Sequence, residues 1–394
     1  MNSNRNRDSL LAVIGLVAVL AYVLACTSFS PDDSKVLYPK FDTKGGGIAL
    51  AVFDRDSRSS EQLLTLPAPP KMETLLRGVW TSDGSRVVAL WPAPVPLDKS
   101  EQLNVLVLPY KTRQPVCWFA LPIAQEKSTM LAVPPIVVGS SLFLCAESLV
   151  IRLDFETGAV QTNEVDGSVV LLKQGDRICY LHEKKSDDPS QKKSYELGDL
   201  DLNKLTLAPR FSFPEKPDED IFGFFAVSRD GSRIALLCER SGESFFRIYE
   251  GNELSKTIPA GVGTNAVQIG NFLFSPDGST LYAACSRPPA ETKEAGVAQQ
   301  CGILEVPLTG ASAREIPLFK LQEDWDKEHP VFLFQLDLSH DGKTLAVCST
   351  YLVVEEPARL KTEDLALYLV DLTRPDRKVT KVPIPPPPKS SVEE

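Results

Sequence analysis

The tetrapeptide Ser275-Pro276-Asp277-Gly278 sits between two apolar runs, and close relatives of it recur along the chain. "TSDGSRVVALW" begins at Thr81, "SRDGSRIALLC" at Ser228, "SPDGSTLYAAC" at Ser275 and "SHDGKTLAVCS" at Ser339. Asp offers a carboxylate to nearby backbone N–H groups and Gly accepts positive φ, so Asp-Gly between apolar runs predicts a β-hairpin. The gap from Gly84 to Gly231 is 147 residues, close to three times the 47 from Gly231 to Gly278. That spacing predicts degenerate copies inside the gap. Two segments fit, "VVGSSLFLCAE" around Gly139 and "LKQGDRICYLH" around Gly175, and "KGGGIALAVFD" at Gly47 precedes them.

The seven turns fall at intervals of 37, 55, 36, 56, 47 and 64 residues. A second apolar run follows several of them, as in "LNVLVL" from Leu103, "FFRIY" from Phe245 and "LALYLV" from Leu365. Each unit therefore holds four short strands, which is what one propeller blade needs. Runs such as "IALLC" and "VVALW" are apolar on both faces, so they must be covered on both sides. A blade between two blades meets that condition. The expectation is an all-β chain: a β-propeller of seven four-stranded blades, preceded by one N-terminal hydrophobic helix. Six or eight blades would require one degenerate turn to be misassigned. The expected domains are a signal peptide or membrane anchor over 1–25, a tether over 26–40, the propeller over 41–384 and a proline-rich disordered tail over 385–394.

These "SPDGS" units resemble the WD-like repeats of TolB-type propellers, and "FSPDGSTLYAAC" is also similar to the repeat of seven-bladed lactonase-type propellers. The resemblance covers about Phe41 to Ile384 and implies architecture. For function it implies little, because such repeats serve many roles.

The first thirty residues predict a targeting segment. Arg5 and Arg7 precede the uninterrupted apolar stretch Leu10–Cys26, the plan of a secretory signal or of one spanning helix. Val23-Leu24-Ala25-Cys26 resembles a bacterial lipobox, which would make Cys26 the lipidation site. Counting on to Phe29 gives 20 residues, enough for an uncleaved anchor. Both readings place the chain in the cell envelope, outside the cytoplasm and tethered to a membrane. Beyond Cys26 there are seven cysteines and no Cys-x-x-Cys pair. Five of them (Cys145, Cys179, Cys238, Cys285 and Cys348) recur at one place in the repeat, which points to packing rather than disulfides.

A net charge of −10 without a basic cluster argues against a nucleic-acid partner. No Gly-x-Ser-x-Gly or EF-hand spacing occurs, and no cofactor, metal or catalytic constellation is expected. His340 takes the proline position of a turn. His182 opens a long loop and His329 precedes the last blade, and nothing pairs the two. "PDED" (Pro217–Asp220) and "QEDWDKEH" (Gln322–His329) read as solvated charge. In propellers of the kind this resembles, the loops between second and third strands share one face. Here these are 92–102, 182–194, 286–300 and 349–364, long, proline-containing and mixed in charge. Long loops on a rigid scaffold suit recognition. The expectation is a membrane-anchored scaffold that binds a protein partner or ligand through this face. The alternative is a lactonase-like enzyme acting on a small molecule at the channel mouth.

Overall fold

The structure, a computed structural model, describes residues 27–385 apart from 43–46, 68–76, 94–101, 114–116, 123–134, 147, 175–176, 185–192, 215–217, 242, 263–264, 267, 288–299, 321–335 and 350–364. The described strands form seven four-stranded antiparallel sheets, each built from strands consecutive in sequence, and one two-stranded ribbon. Blade 1 comprises β1 (Ser28–Phe29), β2 (Lys35–Asp42), β3 (Gly47–Asp54) and β4 (Ser59–Pro67). Blade 2 comprises β5 (Arg77–Trp80), β6 (Arg86–Ala93), β7 (Gln102–Pro109) and β8 (Cys117–Pro122). Blade 3 holds β9 (Ile136–Val138), β10 (Ser141–Ala146), β11 (Leu149–Asp154) and β12 (Val160–Glu164). Blade 4 holds β13 (Ser168–Gln174), β14 (Arg177–Lys184), β15 (Ser194–Leu200) and β16 (Leu207–Pro214). Blade 5 follows with β17 (Asp220–Val227), β18 (Arg233–Arg240), β19 (Glu243–Glu250) and β20 (Glu253–Pro259). The ribbon β21 (Gly261–Val262) and β22 (Asn265–Ala266) leads to blade 6, with β23 (Gln268–Phe274), β24 (Thr280–Arg287), β25 (Gln300–Pro307) and β26 (Arg314–Lys320). Blade 7 closes the ring with β27 (Leu336–Leu338), β28 (Thr344–Cys348), β29 (Ala366–Asp371) and β30 (Val379–Pro383).

One hydrogen-bond pattern makes the turns. Ser228 Oγ donates to Asp230 Oδ1 (2.6 Å), the Ser232 amide donates to the same oxygen (3.0 Å), and the Arg233 amide donates to Ser228 Oγ (2.8 Å). The same three bonds close the turns at Thr81, Ser275 and Ser339. Each places its glycine at positive φ, between 67° and 76°, where a Cβ would be strained. The turns also touch around the ring, with Pro31 against Gly84, Ser228 against Gly278 and Pro276 against Gly342.

Blade 1 departs from the expectation. Gly47 opens β3, the third strand of its sheet, and so is not the hairpin glycine. The hairpin between β1 and β2 is instead Ser30-Pro31-Asp32-Asp33-Ser34, with the same three bonds and Asp33 at φ 59° in the glycine place. Seven turns remain, but the first lies before Gly47. The expected tether over 26–40 and a propeller beginning at 41 are likewise corrected. Ser28–Asp42 supplies two strands of blade 1, with Phe29, Val36, Leu37 and Tyr38 buried. Phe29 therefore cannot belong to a spanning helix. At the other end Ile384 is buried and its amide donates to the Leu365 carbonyl at 2.9 Å.

The second strands carry the core. In β18 every residue from Ile234 to Cys238 is buried, and apolar layers fill the interfaces between blades 2 and 3, 3 and 4, 4 and 5, and 5 and 6. A larger cluster joins blades 6, 7, 1 and 2 across the closure. Full burial of one aliphatic side chain contributes about 1.5–3 kcal/mol. Cys145, Cys179, Cys238, Cys285, Cys301 and Cys348 are buried thiols outside any disulfide. Cys145, Cys238, Cys285 and Cys348 sit near the ends of their second strands, whereas Cys179 is third in β14.

Among the described residues no strand is exchanged across the closure, and other contacts join blade 7 to blade 1. Asp33 accepts from the His340 amide (2.7 Å), from His340 Nδ1 (2.8 Å) and from the Asp341 amide (2.9 Å). At this seam His340 stands where Pro276 meets Gly342 one blade earlier, and Asp33 stands where the glycine would be. Nearer the channel Asp337 accepts from the Phe29 amide at 2.8 Å and from the Leu338 amide at 2.9 Å. Burial pushes the Asp337 carboxyl up to about 6, with the two amides and His340 opposing and Asp33 adding to the rise.

Candidate functional site: the loop-bearing face

The strand order divides the connections between two faces. Turns between first and second strands, and between third and fourth, share one face and run to at most seven residues, as at 110–116 and 372–378. Second-to-third and blade-to-blade connections emerge on the other face and reach twelve residues at 288–299, fifteen at 321–335 and seventeen at 349–365. His329 and most of the four long loops lie outside the described residues, as do Cys26 and the apolar segment Leu10–Cys26.

Two polar clusters among the described residues stand at this end of the blades. In blade 5, Glu219 immediately precedes β17 and its side chain is wholly buried. One carboxylate oxygen takes Arg240, from the end of β18, and the other takes Arg247, from the middle of β19. Arg240 also reaches Asp218 at 3.2 Å. "PDED" is thus a buried ion-pair network at Glu219 rather than solvated charge throughout. Breaking such a pair strands a charge, at a cost of about 3–5 kcal/mol. Both oxygens of Glu219 are engaged, which makes it a structural clamp and leaves neither for a substrate.

The second cluster is in blade 4. His182 lies within β14 rather than opening a loop, because β14 continues to Lys184. It is buried, with Nε2 donating to the Asp166 carbonyl. Its Nδ1 has no hydrogen-bond partner and stands 3.8 Å from Glu196, which also pairs with Lys184. Tyr180, two residues earlier and so on the same face, is fully buried and its hydroxyl has no partner. Burial, with Glu196 and Asp199 nearby, drives that hydroxyl well above the usual phenol range. Tyr180 packs with Phe143 and Cys145 of blade 3, so this face of β14 looks into an interblade layer, not into the channel. A buried His, Tyr and Glu can exchange protons or hold a small polar guest; the absence of channel-facing placement sets them apart from a channel-mouth active site.

Sequence reasoning named His182 and missed Tyr180, Glu196 and the Glu219–Arg247 pair. Arg247 inside the apolar run "FFRIY" was the available signal, since a charge in a doubly covered strand requires a buried partner. Among the described residues no group of three or more His, Cys, Asp or Glu is placed to hold a metal ion, and no helix is long and apolar enough to cross a membrane.

No protein-family model and no curated protein matches the chain by sequence. Solved structures do match. KlAtg21, in its complex with the coiled-coil of AgAtg16, superposes with a TM-score of 0.55 at 14% identity, over 91% of this chain and 98% of that one. An oligogalacturonate lyase from Vibrio parahaemolyticus superposes with a TM-score of 0.55 at 12% identity, over 90% of this chain and 92% of that one. TolB from Acinetobacter baumannii is a looser match, with a TM-score of 0.43 at 13% identity over 73% of this chain and 64% of that one. At such identities the likeness is one of fold: the chain is a seven-bladed β-propeller.

Proposed function

We propose, starting from a seven-bladed propeller whose long connections all share one face, that the chain is a membrane-anchored extracytoplasmic scaffold binding its partner through that face. The asymmetry of the connections carries this reading. The turn face is a ring of short, mutually packed hairpins, and the other face bears connections of up to seventeen residues. Rigid blades holding variable segments at one end are suited to recognition. The N-terminal apolar segment supports the anchor.

The experiment is crosslinking in the cell envelope with the parent chain and with a variant in which 288–299 and 350–364 are replaced by short Gly-Ser links. A crosslinked species present with the parent and lost with the variant, at equal protein level and melting temperature, supports the scaffold. A species retained by the variant overturns the assignment to this face. Fatty-acid labelling abolished by Cys26→Ser supports lipidation, and an unlabelled parent of unprocessed mass supports the uncleaved helix.

A further inference from the structure

We infer, independently of any anchor, that β12, the outer edge of blade 3, pairs antiparallel with the same strand of a second copy of this chain. The fourth strand of each blade is the outermost of its sheet. Such a strand leaves a row of backbone N–H and C=O groups with which another chain can pair, and proline, basic side chains and bulges blunt it. β16 and β26 carry Pro209 and Pro317 within the strand and are bulged against their neighbours. β4 and β20 end on Pro67 and Pro259 and are bulged as well. β8 ends on Pro122, and β30 combines Lys381 with Pro383. In contrast β12, Val-Gln-Thr-Asn-Glu, has no proline, no basic residue and an unbroken register with β11.

Hydrogen bonds at the two ends of β12 fix which of its backbone groups face outward. The Val165 amide donates to the Ser148 carbonyl at 2.8 Å, and the Asp154 amide donates to the Ala159 carbonyl at 2.9 Å. Inward and outward residues alternate along an antiparallel ladder, so Gln161 and Asn163 also turn their backbone groups to β11. Val160, Thr162 and Glu164 turn theirs away from it. All three are exposed. Val160, at 48% exposure, and Leu254 of the bulged β20 are the two exposed large apolar side chains among the described residues.

The order of residues along this edge selects its occupant. With a twofold axis at Thr162, β12 sets Thr162 against the partner's Thr162, Val160 against the partner's Glu164, and Gln161 against the partner's Asn163. The outward groups then form about six backbone hydrogen bonds. Threonine meets threonine, amide meets amide, and the one charge on each strand lies opposite a valine rather than another carboxylate. Any slide shortens the ladder. The twofold axis closes the assembly at two copies, so the edge is used up rather than propagated.

The test is sedimentation of the full-length chain in mild detergent over a range of concentrations, beside Thr162→Lys, which opposes like charges on the axis at an exposed side chain. A dimer is expected, with a dissociation constant at least tenfold higher in Thr162→Lys at an unchanged urea midpoint. Mild oxidation reads the register. Residues paired across the axis have Cα atoms about 5.5 Å apart, within disulfide reach, so Thr162→Cys should give a disulfide-linked dimer. Val160→Cys should not, because the two copies of position 160 are offset by about 13 Å along the strands. The parent, with its own cysteines, is the background. A parent that is monomeric at every concentration overturns the pairing. So does a dimer that Thr162→Lys leaves intact and Thr162→Cys does not crosslink. Crosslinking as strong at 160 as at 162 overturns the twofold at Thr162.

Discussion

Single side chains in this ring do unusually legible work at the turns. Asp230 is held at about 2 by Ser228 first and by the amide and hydroxyl of Ser232. A depressed carboxyl stabilises the fold above its unfolded pKa and loses that contribution as pH falls through the folded one. Asp230→Asn should therefore lower stability by about 0.5–1 kcal/mol at pH 7, the screened worth of exposed bonds to a charge. The gap to the parent should close as pH falls from 4 toward 2, read as urea midpoints. Tyr180 should behave oppositely. Its buried hydroxyl bonds to nothing, so Tyr180→Phe removes a desolvation cost and should raise stability by about 1 kcal/mol. A fall of similar size would mean the hydroxyl holds something.

At the scale of the hairpin and strand, the sequence and the structure agree wherever Asp-Gly is intact. They part at blade 1, because its first turn carries Asp33 where the repeat elsewhere has glycine. Asp33 adopts the left-handed φ that Gly serves elsewhere, and spends its carboxylate on blade 7. Gly47 attracted the assignment because glycine before an apolar run looks the same whether it ends a second strand or begins a third. The site was less legible than the fold. His182 was visible as a residue type, but its place inside β14 and its neighbours Glu196 and Tyr180 depend on cross-strand register, which one strand's sequence does not contain. The strand cysteines pack inside the blades, and this has a direct check. Burial lifts Cys179 to about 11 and Cys301 well above the ordinary thiol, which suppresses the reactive thiolate. Cys145, Cys179, Cys238, Cys285, Cys301 and Cys348 should stay unmodified by a thiol reagent in the native protein and react within minutes in denaturant, as resolved by mass spectrometry of peptides.

For the whole molecule the seam between blades 7 and 1 is decisive, because side chains and packing close the ring there. Asp33→Gly would restore the repeat pattern and relieve a positive φ, a gain of up to about 1 kcal/mol. It would also remove three hydrogen bonds to blade 7, at about 0.5–1.5 kcal/mol each. A net loss of about 1–2 kcal/mol is expected, with faster amide exchange in β1 and β2; a higher melting temperature would show that the latch contributes less than the strain. Asp337 gives the same seam a pH dependence. Its folded carboxyl, at about 6, binds a proton more tightly than the ordinary 3.8 of the unfolded chain. Its protonated form therefore favours folding below about 4, and that advantage is lost as pH rises through 6. Relative to Asp337→Asn, the parent should lose stability between pH 4 and 6.5; parallel urea midpoints across that range would overturn this.

Every blade is one uninterrupted stretch of chain. During synthesis, blade 1 can thus complete its sheet as soon as Pro67 has emerged, whereas a ring sharing a sheet between its two ends must keep the first partner open until the last residue arrives. A nascent chain of this kind can accumulate finished blades in order from blade 1 onward, and only the docking of blade 7 on blade 1 waits for the end.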